Sequence, residues 1–387
     1  MHKLIFLFSY IMLITNPVFA QKTKVPRVEW IMAAKLQNAD GSESLGFAGA
    51  INAICNDVLI VAGGANFPDK KPWDGGIKYY SDEIHVLQKT ADGFAWNENV
   101  DTRLPEPIAY CGNTSTPAGV VFAGGENVKG LSNKTYLVNW IDNNKITITQ
   151  LAGLPVALTN IALTNIGNVV YAAGGDESKH SSNTFFSIDL NEQNPEWKRL
   201  PDMPIALGNA VLVAQKNKQN TNLYLIGGRT KTASGISDLQ HTTFMFDVQN
   251  QTWKQLADIS DGKKITNFSA GAGVPIGDHL ILLTGGDNGK TFHKIENYLA
   301  QIARTQDLEI KNRLIKEKNE LNINHKGFYK DMLLFNTIKN TWSKIGELPF
   351  LAQVTVAATM WNGNIILSNG EIKPGVRTPN VMLGTIK

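Results

Sequence analysis

The segment Asn369-Gly370-Glu371-Ile372-Lys373-Pro374-Gly375-Val376-Arg377-Thr378 sets a carboxylate and a guanidinium six residues apart, on a loop bent by Gly375 and stiffened by Pro374. A carboxylate near neutral pH can accept a proton, and an arginine fork can grip a carboxylate through two hydrogen bonds. The same two residues also fit a solvated surface pair of little energetic weight, and residue type alone does not choose between these readings. Further polar residues stand just after Gly-Gly pairs elsewhere: Asn66, Glu126, Asp176, Arg229 and Asp287. Asn66, Glu126 and Arg229 are carried forward as ligand-binding candidates, although turn chemistry accounts equally well for Asn and Asp at such positions. Trp73 fits either an apolar wall beneath a ligand or a pin for its own loop.

The elements that must position these residues form a repeat. Apolar strands run into Gly-Gly pairs at 63–64, 124–125, 174–175, 227–228 and 285–286, with a degraded copy at Asn369-Gly370; successive copies lie 61, 50, 53, 58 and 84 residues apart. That period of roughly 50 residues is the one expected of kelch blades, small four-stranded sheets that bury their faces by stacking around a channel. The fold class is therefore all-β, a six-bladed kelch-type β-propeller forming one domain over residues 21–387. A tryptophan recurs near the outer strand in four of the six units, at Trp96, Trp197, Trp253 and Trp342, where it fills the wedge between adjacent sheets. The last blade has three strands at the C-terminus. Its fourth is expected from the N-terminal strand around Trp30, which pairs with Val381–Ile386 and closes the ring. Strand alternation brings the loops after the Gly-Gly pairs to one end of the ring, where function is expected. The longest of them, 289–327, carries Ile295, Leu299 and Ile302 at helical spacing, then a charged stretch through Leu308, Leu314 and Leu321. Two helices are predicted there, before the last blade, either as a solvated decoration or as a lid over the channel mouth.

The first twenty residues read as an export signal, with a basic start at His2-Lys3, an apolar run from Leu4 to Ile14, and Val18-Phe19-Ala20 before the expected cleavage after about Ala20. The expected location is exported, in the periplasm, without membrane insertion of the mature chain. The formal charge of +3, with no basic run or aromatic-basic stripe, argues against nucleic acid as a partner. Cys55 and Cys111 fit either a bridge or two separate buried thiols.

Three stretches closely resemble the bacterial N-acetylneuraminate epimerases, also called sialic acid mutarotases. They are Gly46–Gly49 with Asp57–Gly64, Tyr80–His85, and Asn369–Thr378. The resemblance spans nearly the whole mature chain, but with late blades standing first, as in a cyclically permuted branch of that family. It implies interconversion of the α and β anomers of N-acetylneuraminate, a small sugar acid, with Glu371 as proton acceptor and Arg377 as anchor of the sugar carboxylate. No metal or other cofactor is implied. The acid for the ring oxygen is left open, with His293, His325 and Lys330 considered. A sialidase fits poorly, because the aspartate-box-like Asp287–Phe292 occurs once and directly follows a Gly-Gly pair. A copper radical oxidase would need a cluster of Tyr, His and Cys ligands in the channel, for which two cysteines in strand-like positions are poor support. The alternative is a non-catalytic propeller that binds a protein or glycan partner.

Overall fold

The computed structural model describes residues 26–387 apart from positions 39 and 142–144; the export-signal reading of residues 1–20 lies outside the described residues. Six four-stranded antiparallel sheets form the blades of a β-propeller. Their innermost strands, Ile51–Cys55, Gly112–Thr116, Ala162–Ile166, Val211–Asn217, Ala272–Ile276 and Ala358–Trp361, contact one another in succession around the ring. Blade 6 is completed by Val28–Lys35, which pairs antiparallel with Asn380–Ile386 from Val28 opposite Ile386 to Lys35 opposite Asn380. No helix among the described residues is long and apolar enough to cross a membrane.

The second strands read as unbroken apolar runs because both faces are buried. In Val58–Ala62, Leu59 and Val61 pack with Trp361, Ile366 and Leu383 of blade 6, while Ile60 and Ala62 pack with Phe122 and Val138 of blade 2. The recurring tryptophans join blades by hydrogen bonds as well. Trp96 Nε1 donates to the Lys35 carbonyl of blade 6 (2.7 Å), Trp197 Nε1 to Thr135 Oγ1 of blade 2 (3.0 Å), and Trp342 Nε1 to the Ala257 carbonyl that precedes blade 5 (3.1 Å). Cys55 and Cys111 are free thiols; Cys55 Sγ accepts from the Trp140 N–H at 3.3 Å.

The Gly-Gly pairs have a specific task. In the first five copies the leading glycine has φ between 61° and 71°. A Cβ there would lie 2.1–2.5 Å from the carbonyl oxygen of Ile108, Leu158, Leu207, Phe268 or Gln353, in the link to the next blade. The second glycine donates its N–H to that same carbonyl at 2.8–3.0 Å. In the sixth copy Asn369 takes the left-handed conformation, which Asn tolerates best among side-chain-bearing residues, and Gly370 donates to Phe47 at 2.7 Å.

A second circle of hydrogen bonds lies inside the first. Gly49, Tyr110, Asn160, Asn209, Ala270 and Thr355 all have φ between 50° and 64°. Each accepts at its carbonyl from the N–H of the equivalent residue one blade along, at 2.7–3.0 Å, and the circle closes where Gly49 donates to Thr355. A Cβ on Gly49 would lie 2.4 Å from Tyr110 Cδ1 and 2.7 Å from Tyr110 N. Gly49→Ala is therefore expected to cost roughly 2–4 kcal/mol, from left-handed strain plus overpacking. Ala270→Gly, which relieves strain in the same circle, is expected to change stability by less than about 1 kcal/mol. Denaturant unfolding of the two variants checks the pair; equal, small effects would deny the circle its structural role.

Candidate active site

Immediately after each Gly-Gly pair the chain forms an antiparallel bridge with the residue preceding the inner circle. The bridges are Ala48 with Ala65, Ala109 with Glu126, Thr159 with Asp176, Gly208 with Arg229, Ser269 with Asp287, and Val354 with Glu371. Six equivalent side chains thus surround one mouth of the channel, five of them ionisable. Asn66 is offset by one residue from this set. Its side chain is buried and donates from Nδ2 to the Gly46 carbonyl at 3.1 Å.

A cavity of about 390 Å³ opens over half of that mouth. Asn209, Ala270 and Thr355 of the inner circle form its floor; Arg229, Asp287 and Glu371, from blades 4, 5 and 6, form its polar wall. The segment before the last blade provides the roof. Its helices, α1 (Phe292–Arg304) and α2 (Leu308–Ile323), follow from the helical spacing of their apolar residues, and α2 starts at Asp307, whose side chain accepts from the Glu309 and Ile310 N–H groups. Phe292, Ile295 and Leu299 of α1 give the cavity an apolar face; Lys318 and Asn322 of α2, with His325 just beyond it, give a polar one. The roof is clamped to blade 4. Glu296 accepts from Ser237 N and Oγ at 2.8 and 2.7 Å, His293 Nε2 donates to the Ser237 carbonyl at 2.8 Å, and Arg304 donates to the Ser234 carbonyl at 3.0 Å. On the opposite side Asn319 reaches the Trp73 carbonyl at 3.5 Å. Trp73 lines the cavity and packs against Gly375, so it is both wall and pin.

Glu371 and Arg377 pair across the short hairpin 371–377. Glu371 Oε1 accepts from the Gly375 N–H at 2.7 Å, and Oε2 lies 3.6 Å from Arg377 Nη2. Burial pushes the Glu371 carboxyl up; Arg377, the Gly375 N–H and nearby Lys78 pull it back without cancelling the rise. Arg377 sits behind Glu371 rather than on the cavity wall. Its side chain is 5% exposed, Nε donates to the Ala65 carbonyl at 3.3 Å, and the guanidinium carbon stands 4.8 Å from the Phe67 ring centre. Nη1 is buried without a hydrogen-bond partner among the described residues.

Arg229, in contrast, faces the cavity, held by Asp176 at 2.8 Å. Asp176 is fully buried and also accepts from Asn160 Nδ2 (2.9 Å) and Ser181 Oγ (2.8 Å). Glu126 stands apart from the cavity lining: its Oε1 accepts from Tyr80 (2.9 Å) and Lys78 (3.2 Å). The Lys78 ammonium lies between the rings of Tyr80 and Tyr110. Among the acid candidates, His293 is committed to the clamp and Lys330 does not line the cavity, whereas His325 does. His325 is held neutral-leaning by burial and by Lys373. Lys318 and Asn322 were not singled out from sequence; with Phe292 and Leu299 they become visible only once the helices are folded over the mouth.

The fold and the lidded cavity define a six-bladed propeller whose inter-strand loops set acidic and basic side chains around one roofed cavity. A family model described as N-acetylneuraminate epimerase matches residues 151–387, and the chain belongs to that family. The N-acetylneuraminate epimerase of Salmonella typhi is 30% identical over 233 residues, covering 59% of this chain and 56% of that protein. That of Brucella melitensis is 27% identical over 238 residues, covering 60% and 58%. The matched stretch thus spans a little over half the length of those relatives.

Replacing residues 290–326 by a short linker leaves Leu280–Thr284 paired with Asp331–Asn336 but unroofs the cavity. Because burial is the leading cause of the raised Glu371 carboxyl, hydration should bring its titration down toward the ordinary carboxylate range. Carboxyl carbon NMR on the intact and linker-bearing proteins checks this; an unmoved titration in a folded variant would show that the helices do not desolvate the site.

Proposed function

We propose that this protein interconverts the α and β anomers of N-acetylneuraminate, with Glu371 as the proton acceptor. The observation that carries the reading is a partly buried carboxylate, Glu371, presented to a roofed cavity while its other side is fixed by Gly375 and Arg377. Family membership supports the substrate class. The cavity also suits a sugar acid chemically, with Arg229 and Lys318 offering positive charge and α1 and Trp73 offering apolar surface for ring and methyl groups.

Mutarotation of a cyclic hemiketal requires removal of the anomeric hydroxyl proton, protonation of the ring oxygen, and reclosure on the other face of the carbonyl. A carboxylate with a raised pKa is a stronger base than an ordinary one, and the roof keeps water from competing for its proton. The placement of the two arginines supports a division of labour that differs from the anchoring role expected for Arg377. Arg377 holds and polarises Glu371, and Arg229 meets the sugar carboxylate through the guanidinium face not used by Asp176. Residues 1–20 are read as an export signal, which puts the reaction outside the cytoplasm. The confinement of the family match to residues 151–387 is consistent with a cyclic permutation of blades.

Exchange spectroscopy of equilibrating N-acetylneuraminate reports anomer interconversion directly. Wild-type protein should accelerate it, and Glu371→Gln, which keeps size but removes basicity, should lower the rate by about 10²–10⁴-fold with binding largely retained. Tight binding without any acceleration by the wild type would favour the non-catalytic alternative. Arg229→Lys and Arg377→Lys separate the arginine roles. The first should mainly raise KM, because it loses the two-pronged grip on a carboxylate. The second should mainly lower kcat, and the reverse pattern would return the anchoring role to Arg377.

A further inference from the structure

We propose that Asp287 is the acid that protonates the ring oxygen, working with Glu371 from the adjacent blade; this rests on the mutarotase reading above. Asp287 occupies in blade 5 the position that Glu371 occupies in blade 6, each bridged to the residue before the inner circle. Their bridge partners, Ser269 and Val354, adjoin Ala270 and Thr355, which are joined by a 2.7 Å backbone hydrogen bond. The two carboxyls therefore stand one blade step apart over the same floor and line the same cavity. Asp287 Oδ1 accepts from the Gly289 N–H at 2.6 Å, and Oδ2 has no hydrogen-bond partner among the described residues.

Their surroundings differ in the direction that separates base from acid. Glu371 has the Arg377 guanidinium 3.6 Å away and Lys78 within electrostatic reach. Burial drives the Asp287 carboxyl up; only the Gly289 N–H and His293 oppose it, and Glu296 adds to the rise. Both α1 side chains are engaged by Ser237. The other charged or titratable groups on the cavity wall are Arg229, paired with Asp176, and Lys318 and His325 on the α2 side. His325 is a poor rival. Its Nδ1 accepts from the Gly327 N–H at 3.1 Å, so the proton is on Nε2, and giving it up would leave an imidazolate.

The proton inventory closes. Glu371 takes the anomeric hydroxyl proton, the bond between the anomeric carbon and the ring oxygen breaks, and the ring oxygen keeps the electron pair and takes the Asp287 proton. The anomeric carbon is then a ketone. After rotation exposes its other face, the former ring hydroxyl attacks it, returning its proton to Asp287, while the ketone oxygen recovers a proton from Glu371. Both carboxyls end as they began.

Exchange rates of N-acetylneuraminate are measured against pH for the wild type, Asp287→Asn and Glu371→Gln. Asn keeps the acceptor for the Gly289 N–H. In the wild type the catalysed rate should fall at low pH, where Glu371 is protonated, and at high pH, where Asp287 loses its proton. Asp287→Asn should exchange about 10²–10⁴-fold more slowly, lose the high-pH fall, and still bind the sugar. A folded Asp287→Asn protein that exchanges within about threefold of the wild type, with the same high-pH fall, overturns the assignment of Asp287 alone. A wild type with no exchange overturns the function itself. Carboxyl carbon titration of the wild type does not depend on any variant folding: the Asp287 resonance must titrate with the high-pH fall in rate, and a mismatch also overturns the assignment.

Discussion

The closed inner circle of backbone hydrogen bonds is the constraint on which the remaining structure depends. Six residues, one per blade, each give an N–H to one neighbour and a carbonyl to the other, so no blade can tilt or slide without breaking two bonds. The conformation needed is left-handed at all six positions. Only one of the six, Gly49, is a glycine, and Ala270 and Thr355 accept a strained backbone to complete the circle. That strain, of order 1–2 kcal/mol per residue, is held in place by the outer circle of Gly-Gly contacts and by the apolar wedges between sheets. A rigid floor is the result. A site that must hold a reacting centre between groups from different blades needs one, since catalytic geometry tolerates errors of only about 0.5 Å.

On that floor, the electrostatics are set by what stands behind each wall residue rather than by the residues themselves. Arg229, Asp287 and Glu371 occupy equivalent backbone positions, yet Arg229 is backed by a buried aspartate, Glu371 by a buried arginine, and Asp287 by a glycine N–H and a roof helix. The chain thereby obtains three chemical characters from one repeated turn. Nη1 of Arg377 is buried without a hydrogen-bond partner among the described residues, a cost borne beside the carboxylate whose charge the guanidinium stabilises.

Much of this architecture is legible in the sequence because it arises from local rules repeated six times. The Gly-Gly pairs, the wedge tryptophans and the strand at Trp30 each leave a residue-type signature, and the helices announce themselves by the spacing of Ile295 and Leu299. The loop bearing Glu371 and Arg377 is also visible, but which of the two meets the cavity is not. That depends on Phe67 and Ala65 of blade 1, more than 300 residues away in sequence. Asn66 is set apart from the cavity wall for a simpler reason. The blade-1 turn sets Ala65 where the other five turns set a charged residue, so counting one residue further lands on a buried amide that donates to the Gly46 carbonyl. The Lys318 and Asn322 wall depends on a helix folding back over the channel, and no local pattern encodes that return.

A ring closed by Val28–Lys35 against Asn380–Ile386 has no topological first blade, and this bears on how the family match should be understood. The matched stretch, 151–387, contains the inner-circle floor of the cavity, its polar wall and both roof helices. Outside it lie the Pro72-Trp73 wall and Lys78, contributed by blade 1, which closes the circle beside blade 6. Cutting such a ring at a different blade boundary changes which strand supplies the final pairing but moves no side chain relative to the floor. The constraint on the chain is therefore that some terminal strand complete some blade, and the site is indifferent to which one, because Arg229, Asp287 and Glu371 are each bridged to the residue that precedes the inner circle.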